Sequence, residues 1–285
     1  MPEHPTIGLV LGGGGSRSIA HIGVLEVLGQ ENVPLDLLVG TSMGGVVAAL
    51  YAEGQAPWQI LAQIKDLQGI LARRNLLRAR ARQRLLQTWL TDLFDHKTFA
   101  DLQKRLVVTT VDMLTGEEIA LESGPLVPAL MATCAVPLIL PPIEWQGRLL
   151  VDGSVIDCLS IHTAIEHGAE RIVAVDIFPP LEQNTSWPDP LRALTSIRMP
   201  FSTPRRQHNA NLHNPGITAT LWRMQRVMSA YTHQARLAAY SPDVLLEPAV
   251  GQYKLLDFKD IEGPYRAGVA AAQQQRAALQ KLGQP

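Results

Sequence analysis

Short apolar runs alternate with helical patterns along most of this chain. Near-continuous runs of valine, isoleucine and leucine are typical of parallel strands that are buried on both faces. A sheet of such strands needs helices over both faces, because each face must be kept from water. The pattern therefore predicts an α/β fold with a mainly parallel central sheet. The expected strands are 6–12, 36–42, 105–113, 147–153, 171–178 and 243–248.

Composition narrows the class of protein. The 285 residues are 46% hydrophobic and 18% charged, which suits a globular fold with a sizeable core. The formal net charge of −1 gives no reason to expect nucleic acid as a partner. Two cysteines, Cys134 and Cys158, indicate reduced thiols rather than a disulfide framework. Without a secretory signal or an apolar stretch of about 18 residues, we expect a cytoplasmic protein whose membrane contact, if any, is peripheral.

The segment GTSMGG, residues 40–45, fits the pattern G-x-S-x-G with Ser42 at its centre. It follows an apolar strand and precedes a helical run, which is the context that holds a nucleophilic serine on a tight turn. Gly40 and Gly44 let neighbouring backbone pack against that turn. The spacing predicts a catalytic serine, and the alternative is a glycine-rich packing turn without chemistry.

A serine hydroxyl needs a base to become a good nucleophile. The strand 147–153 ends in Asp152 and Gly153, which puts a carboxylate at the tip of an apolar strand. Open α/β sheets build their sites at the carboxyl ends of strands. Asp-Gly is also a common turn pair, so Asp152 becomes a candidate base only together with Ser42. We expect His21, one turn after the glycines, to pack or cap locally.

Four consecutive glycines, residues 12–15, join the first strand to the first helix. Ordering them costs backbone entropy, so something at this turn requires bare backbone. A phosphate-binding loop is one interpretation, but Ser18 replaces the last glycine of a dinucleotide fingerprint and no acidic residue closes the second strand. Hydrolysis by a serine instead needs N–H donors aimed at an oxyanion. We expect these glycines to supply them, with Arg17 as a fixed positive neighbour.

Three ordered motifs make the chain resemble the patatin-like phospholipases. GGGGSRSIAHIGVLEVL resembles the oxyanion loop and first helix of that family, GTSMG its nucleophile elbow, and VDGS its catalytic aspartate motif. The resemblance runs from about residue 6 to about residue 273 and is weakest over 178–216. It implies one three-layer α/β/α domain over 1–285, with 178–216 as an irregular insertion or lid candidate.

The resemblance also implies a Ser–Asp dyad that works without histidine. Ser42 would be the nucleophile and Asp152 the base. The implied reaction is hydrolysis of carboxylic esters of phospholipids, lysophospholipids or other lipids through an acyl-enzyme. No metal or organic cofactor is implied, and the oligomeric state is not predicted. The implied oxyanion hole consists of Gly13, Gly14 and Gly15 with Arg17 close by.

Several positions depart from the family pattern. Ser18 stands where the family usually has glycine, and Ser154 replaces glycine or alanine in the aspartate motif. Cys158 and Ser160 replace the asparagine and proline of the family's DNLP. Ser18 adds a side chain beside the oxyanion loop and disfavours a positive φ there. We expect these changes to affect efficiency and substrate range more than activity itself.

Two other functions stay open at this point. The departures favour a patatin-fold binding or regulatory protein with vestigial catalysis. A conventional Ser-His-Asp hydrolase would need a histidine from the later chain, although none follows a late strand in the usual position. The candidate histidines are His162, His167, His208 and His233.

Two regions interrupt the alternation of strands and helices. Arg73 to Arg84 contains six arginines and no acid, which indicates a solvated helix face or a site for anionic head groups. Residues 178–216 are rich in proline, serine, asparagine and arginine, and predict a lid or a disordered surface loop. The run 217–240 predicts an apolar-rich helix. We expect three of its side chains in the core rather than against a membrane: Trp222, Met224 and Met228.

Overall fold

The computed structural model describes residues 4–73, 79–181 and 217–282. Residues 74–78 of the arginine run and 182–216 of the proposed insertion lie outside this part of the chain. The strands are β1 (Ile7–Leu11), β2 (Leu37–Thr41), β3 (Arg105–Asp112), β4 (Glu118–Leu121), β5 (Ile143–Trp145), β6 (Arg148–Asp152), β7 (Arg171–Val175) and β8 (Val244–Leu246). The helices are α1 (Ile19–Gln30), α2 (Met43–Ala52), α3 (Pro57–Arg73), α4 (Ala79–Phe94), α5 (Leu126–Thr133), α6 (Ile161–Glu166), α7 (Ile217–Ala239), α8 (Glu262–Gln274) and α9 (Arg276–Leu282).

The strands form one sheet in the order β5-β6-β3-β2-β1-β7-β8, and β4 also pairs with β3. The neighbours from β3 through β2, β1 and β7 to β8 are parallel, as the apolar runs predict. The pairings of β4, β5 and β6 are antiparallel. The sequence analysis did not predict β4 and β5, because they are short and partly exposed and so lack a continuous apolar run.

Helices cover both faces of the sheet. Leu9 and Leu11 of β1 belong to the larger core cluster, which includes residues of α1, α2, α3 and α4. Val10, between them, points to the other face and belongs to a second cluster with Ile161 and Ala164 of α6. Alternate residues of a strand lie on opposite faces, so two clusters on one strand require three layers. The predicted three-layer fold is confirmed.

The strand registers bring the ends of β2 and β6 together. β4 occupies one side of β3 at both Thr109 and Thr110. On the other side, Thr109 pairs with Thr41, the last residue of β2, and Thr110 pairs with Asp152, the last residue of β6. Because β6 runs antiparallel to β3, its carboxyl end meets the carboxyl end of β2 head-on. Residues that directly follow these two strands are therefore neighbours.

The prediction that Met224 and Met228 lie in the core is wrong. On α7 these two side chains are 55% and 62% exposed, whereas Trp222 is partly buried. The apolar residues of this helix exceed what one packed face can bury, and a pattern of apolar residues does not say which of them meet the core.

The described part of the arginine run is divided between two environments. Arg80 and Arg84 on α4 are exposed, as expected of a solvated helix face. Arg82 is buried instead, and its guanidinium donates to the carbonyl of Ile139 from Nε at 2.9 Å and from Nη2 at 2.6 Å. Arg82 therefore fixes the loop after α5 and presents no charge to solvent.

Candidate active site

Ser42 lies on the sharp turn between β2 and α2, with φ 57° and ψ −133°. A positive φ is unfavourable for serine and is held here by close packing of the neighbouring glycines. A Cβ on Gly40 would lie 2.4 Å from Cα of Gly45, and one on Gly44 would lie 2.4 Å from the carbonyl oxygen of Leu11. Only glycine fits at either position, so the turn has the tight packing that G-x-S-x-G predicts.

A buried threonine holds this turn from α5. The backbone N–H of Ser42 donates to Oγ1 of Thr133 at 2.8 Å, and the Thr133 hydroxyl donates to the carbonyl of Thr109 at 2.7 Å. The Thr109 hydroxyl lies 2.8 Å from that of Thr41. These bonds tie the turn to β3. The sequence analysis missed Thr133, because no motif marks a residue that reaches Ser42 from another helix.

Asp152 meets Ser42 where β2 and β6 end. Its carboxyl group is fully buried, and Oδ1 accepts the backbone N–H of Ser154 at 2.9 Å. The Ser42 hydroxyl is close enough to interact with the carboxyl, although Oδ2 has no partner of ordinary hydrogen-bond geometry among the described residues. Burial raises the pKa of Asp152 from its ordinary 3.8 to about 6, and the interactions with Ser42 and Ser154 oppose that rise.

The glycine loop lies against Ser42. A Cβ on Gly13 would lie 3.3 Å from Cβ of Ser42. The N–H of Gly13 donates to the carbonyl of Cys158 at 2.8 Å, so this expected oxyanion donor is already engaged. Nε2–H of His21 donates to the carbonyl of Gly12 at 2.8 Å, and burial lowers the pKa of His21 to about 4. The ring is therefore neutral near pH 7 and fixes the loop locally.

Other N–H groups beside Ser42 are available as donors. Those of Gly14, Gly15 and Met43 donate to no acceptor in the part of the chain that the structure describes. Gly14 lines the cavity next to Ser42, and Met43 begins α2, where the helix dipole favours negative charge. Gly15 packs against the backbone of Leu255, since a Cβ on Gly15 would lie 2.0 Å from the carbonyl oxygen of that residue. The sequence analysis did not count the N–H of Met43 among the candidate oxyanion donors. Its position directly after Ser42 is the signal for it, because the residue after the nucleophile supplies such a donor in this kind of turn.

A cavity of about 420 Å³ opens beside Ser42. One wall is α7, which contributes Trp222 and Gln225, and another is the segment 251–256. Nε of Arg17 donates to the carbonyl of Tyr253 at 2.8 Å, which fixes this cation in the wall. No acidic side chain is among the described residues that line the cavity. Its cationic side chains are Arg17, Arg223, Arg226 and Lys254.

Two of the candidate histidines are paired with acids elsewhere in the fold. His162 lies 3.3 Å from Asp157 and 2.8 Å from Glu118, and hydrogen bonds to these two carboxylates raise the pKa of His162 to about 9. His233 lies 2.8 Å from Asp176. Each imidazole therefore has a structural partner of its own.

The remaining candidate histidines give no support to a Ser-His-Asp site. Nδ1 of His167 is bonded to the carbonyl of Thr163 at 2.7 Å, and His208 lies outside the described residues. No histidine is among the described residues that line the cavity. Within the described chain, the group that reaches Ser42 is the carboxyl of Asp152.

The departures from the family pattern leave the site intact. Ser18 has φ −62°, so no positive φ is needed there and the expected backbone conflict does not arise. Cys158 supplies the carbonyl that Gly13 bonds, and its thiol lies 3.6 Å from the carbonyl of Ser154. Ser160 is buried, with its hydroxyl 3.4 Å from that of Thr109. The Ser42 hydroxyl and the Asp152 carboxyl remain close enough to interact.

The described residues also give information on disulfides, metal sites and membrane-spanning helices. Cys134 and Cys158 are buried and form no disulfide there, and burial raises the pKa of both thiols well above the ordinary range. No group of three or more His, Cys, Asp and Glu side chains in these ranges is arranged to hold a metal ion. None of the described helices has both the length and the apolar character needed to span a membrane.

Comparison with known proteins shows the family. The model of the patatin-like phospholipases matches residues 9–165, which include Ser42 and Asp152. The chain is 27% identical over 288 residues to a lysophospholipase NTE1 of Debaryomyces hansenii, covering 95% of this chain and 18% of that protein. It is 30% identical over 216 residues to a patatin-like phospholipase domain-containing protein of Caenorhabditis elegans, covering 70% of this chain and 16% of that protein.

The chain thus spans less than a fifth of the length of these two relatives. Among solved structures, VipD from Legionella pneumophila has a similar fold, with a TM-score of 0.53 and 13% identity over 99% of this chain and 67% of that one. The sequence motifs, the matched segment and the shared fold agree. The chain belongs to the patatin-like phospholipase family.

Proposed function

We propose that this chain is a lipid acyl hydrolase that cleaves carboxylic esters through Ser42 and Asp152. The observation that carries the proposal is the contact between the strained serine and a buried carboxyl at the edge of a cavity. The family and a relative named as a lysophospholipase support lipid esters as the substrate class. The cavity volume of about 420 Å³ suits an acyl chain and the ester at its end.

Acylation begins when Oγ of Ser42 attacks the carbonyl carbon of the ester and Asp152 takes the serine proton. The tetrahedral intermediate collapses as the bond to the leaving alcohol breaks, and Asp152 passes the proton to that oxygen. Ser42 is then acylated. Water attacks the acyl group, Asp152 accepts a proton from it, and the carboxylic acid leaves as the proton returns to Ser42.

Backbone donors would stabilise the negative oxygen of each tetrahedral intermediate. The N–H groups of Gly14 and Met43 are the best candidates, since both are beside Ser42 and donate to no acceptor in the described chain. Gly13 and Gly15 then act as spacing glycines that admit the substrate and shape the loop. Arg17 adds a fixed positive charge at the wall.

Hydrolysis of p-nitrophenyl esters of graded chain length tests the proposal. Ser42→Ala and Asp152→Asn are expected to lower kcat/KM by about a thousandfold or more, because neither can generate the nucleophile. Ser241→Ala and Asp92→Asn are matched controls, since both residues are exposed and lie outside the cavity lining, and they should retain wild-type rates. Turnover that survives in Ser42→Ala would rule out Ser42 as the nucleophile.

A further inference from the structure

Four charged side chains meet outside the lining of the cavity beside Ser42, in a group that we call the His162 cluster. Its members come from four parts of the chain: Glu118 of β4, Asp157, His162 of α6 and Arg236 of α7. Nδ1 of His162 lies 3.3 Å from Oδ2 of Asp157, and Nε2 lies 2.8 Å from Oε2 of Glu118. Arg236 is paired with Glu118 and lies 3.6 Å from Oδ2 of Asp157.

The charges of the cluster balance only when His162 is protonated. Two carboxylates face one guanidinium, so a neutral imidazole would leave one negative charge in excess. The side chains of Asp157 and His162 are only 3% and 12% exposed, and an excess charge at such a site is costly. Hydrogen bonds to Asp157 and Glu118 raise the pKa of His162 to about 9, although burial opposes that rise. The ring is therefore positive near pH 7.

Other groups that face His162 have weaker effects on its charge. Nη1 of Arg236 lies 3.3 Å from Nδ1 of His162, and this neighbouring cation opposes protonation of the ring. The ring of Tyr240, just after α7, lies tilted against the imidazole with 5.6 Å between the centroids. Glu166, on the same helix as His162, is exposed, so solvent screens its charge. The carboxylates of Asp157 and Glu118 therefore dominate.

Asp157 connects the cluster to the segment that directly follows Asp152, which we call the 153–160 turn. Oδ1 of Asp157 accepts the backbone N–H of Leu159 at 2.9 Å. The backbone N–H of Asp157 donates to the carbonyl of Gly153 at 2.9 Å. Asp157 is thus bonded to both the beginning and the end of this turn.

The 153–160 turn in turn holds two parts of the candidate active site. The N–H of Ser154 donates to Oδ1 of Asp152 at 2.9 Å, which orients the proposed base. The carbonyl of Cys158 accepts the N–H of Gly13 at 2.8 Å, which anchors the glycine loop. A shift of the turn would therefore move the base and the glycine loop together.

The cation of His162 contributes more to this turn than to the attachment of α7. Gln225 and Ser229 hold α7 to the turn independently, at the carbonyls of Val155 and Ser154. Oδ2 of Asp157, by contrast, has no hydrogen bond of ordinary geometry among the described residues, so its charge is balanced by the two cations beside it. Loss of the nearer cation should loosen the turn at Asp157 without releasing the helix.

We propose that His162 is a positioning residue: in its protonated form it holds Asp157, and through Asp157 the 153–160 turn, in the conformation that orients Asp152 and the glycine loop. Its effect on catalysis rests on the proposed function, whereas its hold on the turn is measurable without turnover. Since the pKa of His162 is raised, the hold is complete at neutral pH and is lost as pH increases through about 9.

The pH profile of ester hydrolysis between pH 7 and 10.5 tests this hold, with hydrolysis by the buffer subtracted. The wild-type kcat for a soluble ester is expected to fall about tenfold around pH 9, with KM within about twofold, because His162 does not line the cavity. His162→Gln should have the lower kcat already at pH 7 and no fall around pH 9. A flat wild-type profile, or a fall that persists unchanged in His162→Gln, overturns the proposal.

Two further variants make the comparison specific. His162→Lys restores the positive charge, so it should recover most of the lost kcat and move the fall above pH 9, since lysine keeps its proton to about pH 10.4 in water. It also carries the test if the glutamine variant does not fold, and a fall that stays at pH 9 in it overturns the proposal. His96→Gln is the matched control, because His96 pairs with Asp95 on the exposed surface, and it should behave like wild type.

Hydrogen exchange at pH 7 separates this proposal from the proposed hydrolase, because it needs no turnover. In His162→Gln the amides of segments 10–16 and 152–160 should exchange at least about threefold faster than in wild type, while those of α1 stay unchanged. Faster exchange in a protein that cleaves no ester supports the hold on the turn and contradicts the hydrolase. Ester cleavage by wild type with unchanged exchange in His162→Gln supports the hydrolase and overturns the role of His162.

Discussion

At the scale of single residues, the proposed role of Asp152 as the base depends on the burial of its carboxyl group. A carboxylate in water has a pKa too low to accept a proton readily from serine, and loss of solvation raises it. At a pKa of about 6 the group is ionised near neutral pH yet basic enough to act in proton transfer. Its hydrogen bond from the Ser154 N–H keeps the carboxyl oriented.

The pH dependence of kcat/KM follows from that pKa. Asp152 accepts a proton only when ionised, so kcat/KM is expected to rise with pH, to be half-maximal near pH 6, and to fall about tenfold per pH unit well below it. Initial rates between pH 4.5 and 8, measured by chromatography of the released alcohol, would give the profile. A rate that is independent of pH over this range would contradict Asp152 as the base.

At the scale of secondary-structure elements, the site lies where the ends of β2 and β6 meet beside β3. Asp152 ends β6, as the sequence analysis predicts, but β6 is antiparallel to β3, so Asp152 meets the end of β2 from the opposite direction. The tight turn that carries Ser42 is then held from α5 through Thr133. Three elements that are distant in sequence therefore set the position of one hydroxyl group.

Thr133 is predicted to act as a positioning residue. Thr133→Val keeps the shape but removes the oxygen that accepts from Ser42 and donates to Thr109, so two buried backbone groups lose a partner. We expect kcat to fall about tenfold and unfolding to become easier by about 1–3 kcal/mol. Kinetics with a soluble ester and urea unfolding measure the two effects.

Thr133→Ser is the matched control for that change, because it retains the hydroxyl. It should recover most of the lost kcat even if some stability is lost with the methyl group. A valine variant that is less stable but has wild-type kcat would mean that Thr133 only contributes to folding.

How much the sequence predicts depends on whether the signal is local. The six apolar strands and the turn at Ser42 are local features, and the structure has each of them where the pattern places it. Strands β4 and β5 have weak patterns of their own and form because β3 and β6 offer edges to pair with. Two features depend on long-range packing, which one sequence does not reveal. They are the exposure of Met224 and the hydrogen bond from the Gly13 N–H to the carbonyl of Cys158.

At the scale of the whole molecule, the proposed catalytic pair and part of the cavity wall come from different parts of the chain. The family match ends at residue 165 and contains Ser42 and Asp152. Helix α7 and the segment 251–256, which line the cavity, lie beyond that match. The proposed catalytic pair therefore lies in the matched segment, while much of the cavity wall lies outside it.

The central claim is that Ser42 is the nucleophile of this cavity, and covalent labelling tests it most directly. The intact chain is incubated with a fluorophosphonate and analysed by mass spectrometry, with Ser42→Ala and Ser241→Ala in parallel. The account predicts one adduct per wild-type chain, located at Ser42, absent from Ser42→Ala and unchanged in Ser241→Ala. Wild type that stays unlabelled, or an adduct that persists in Ser42→Ala, would contradict the account.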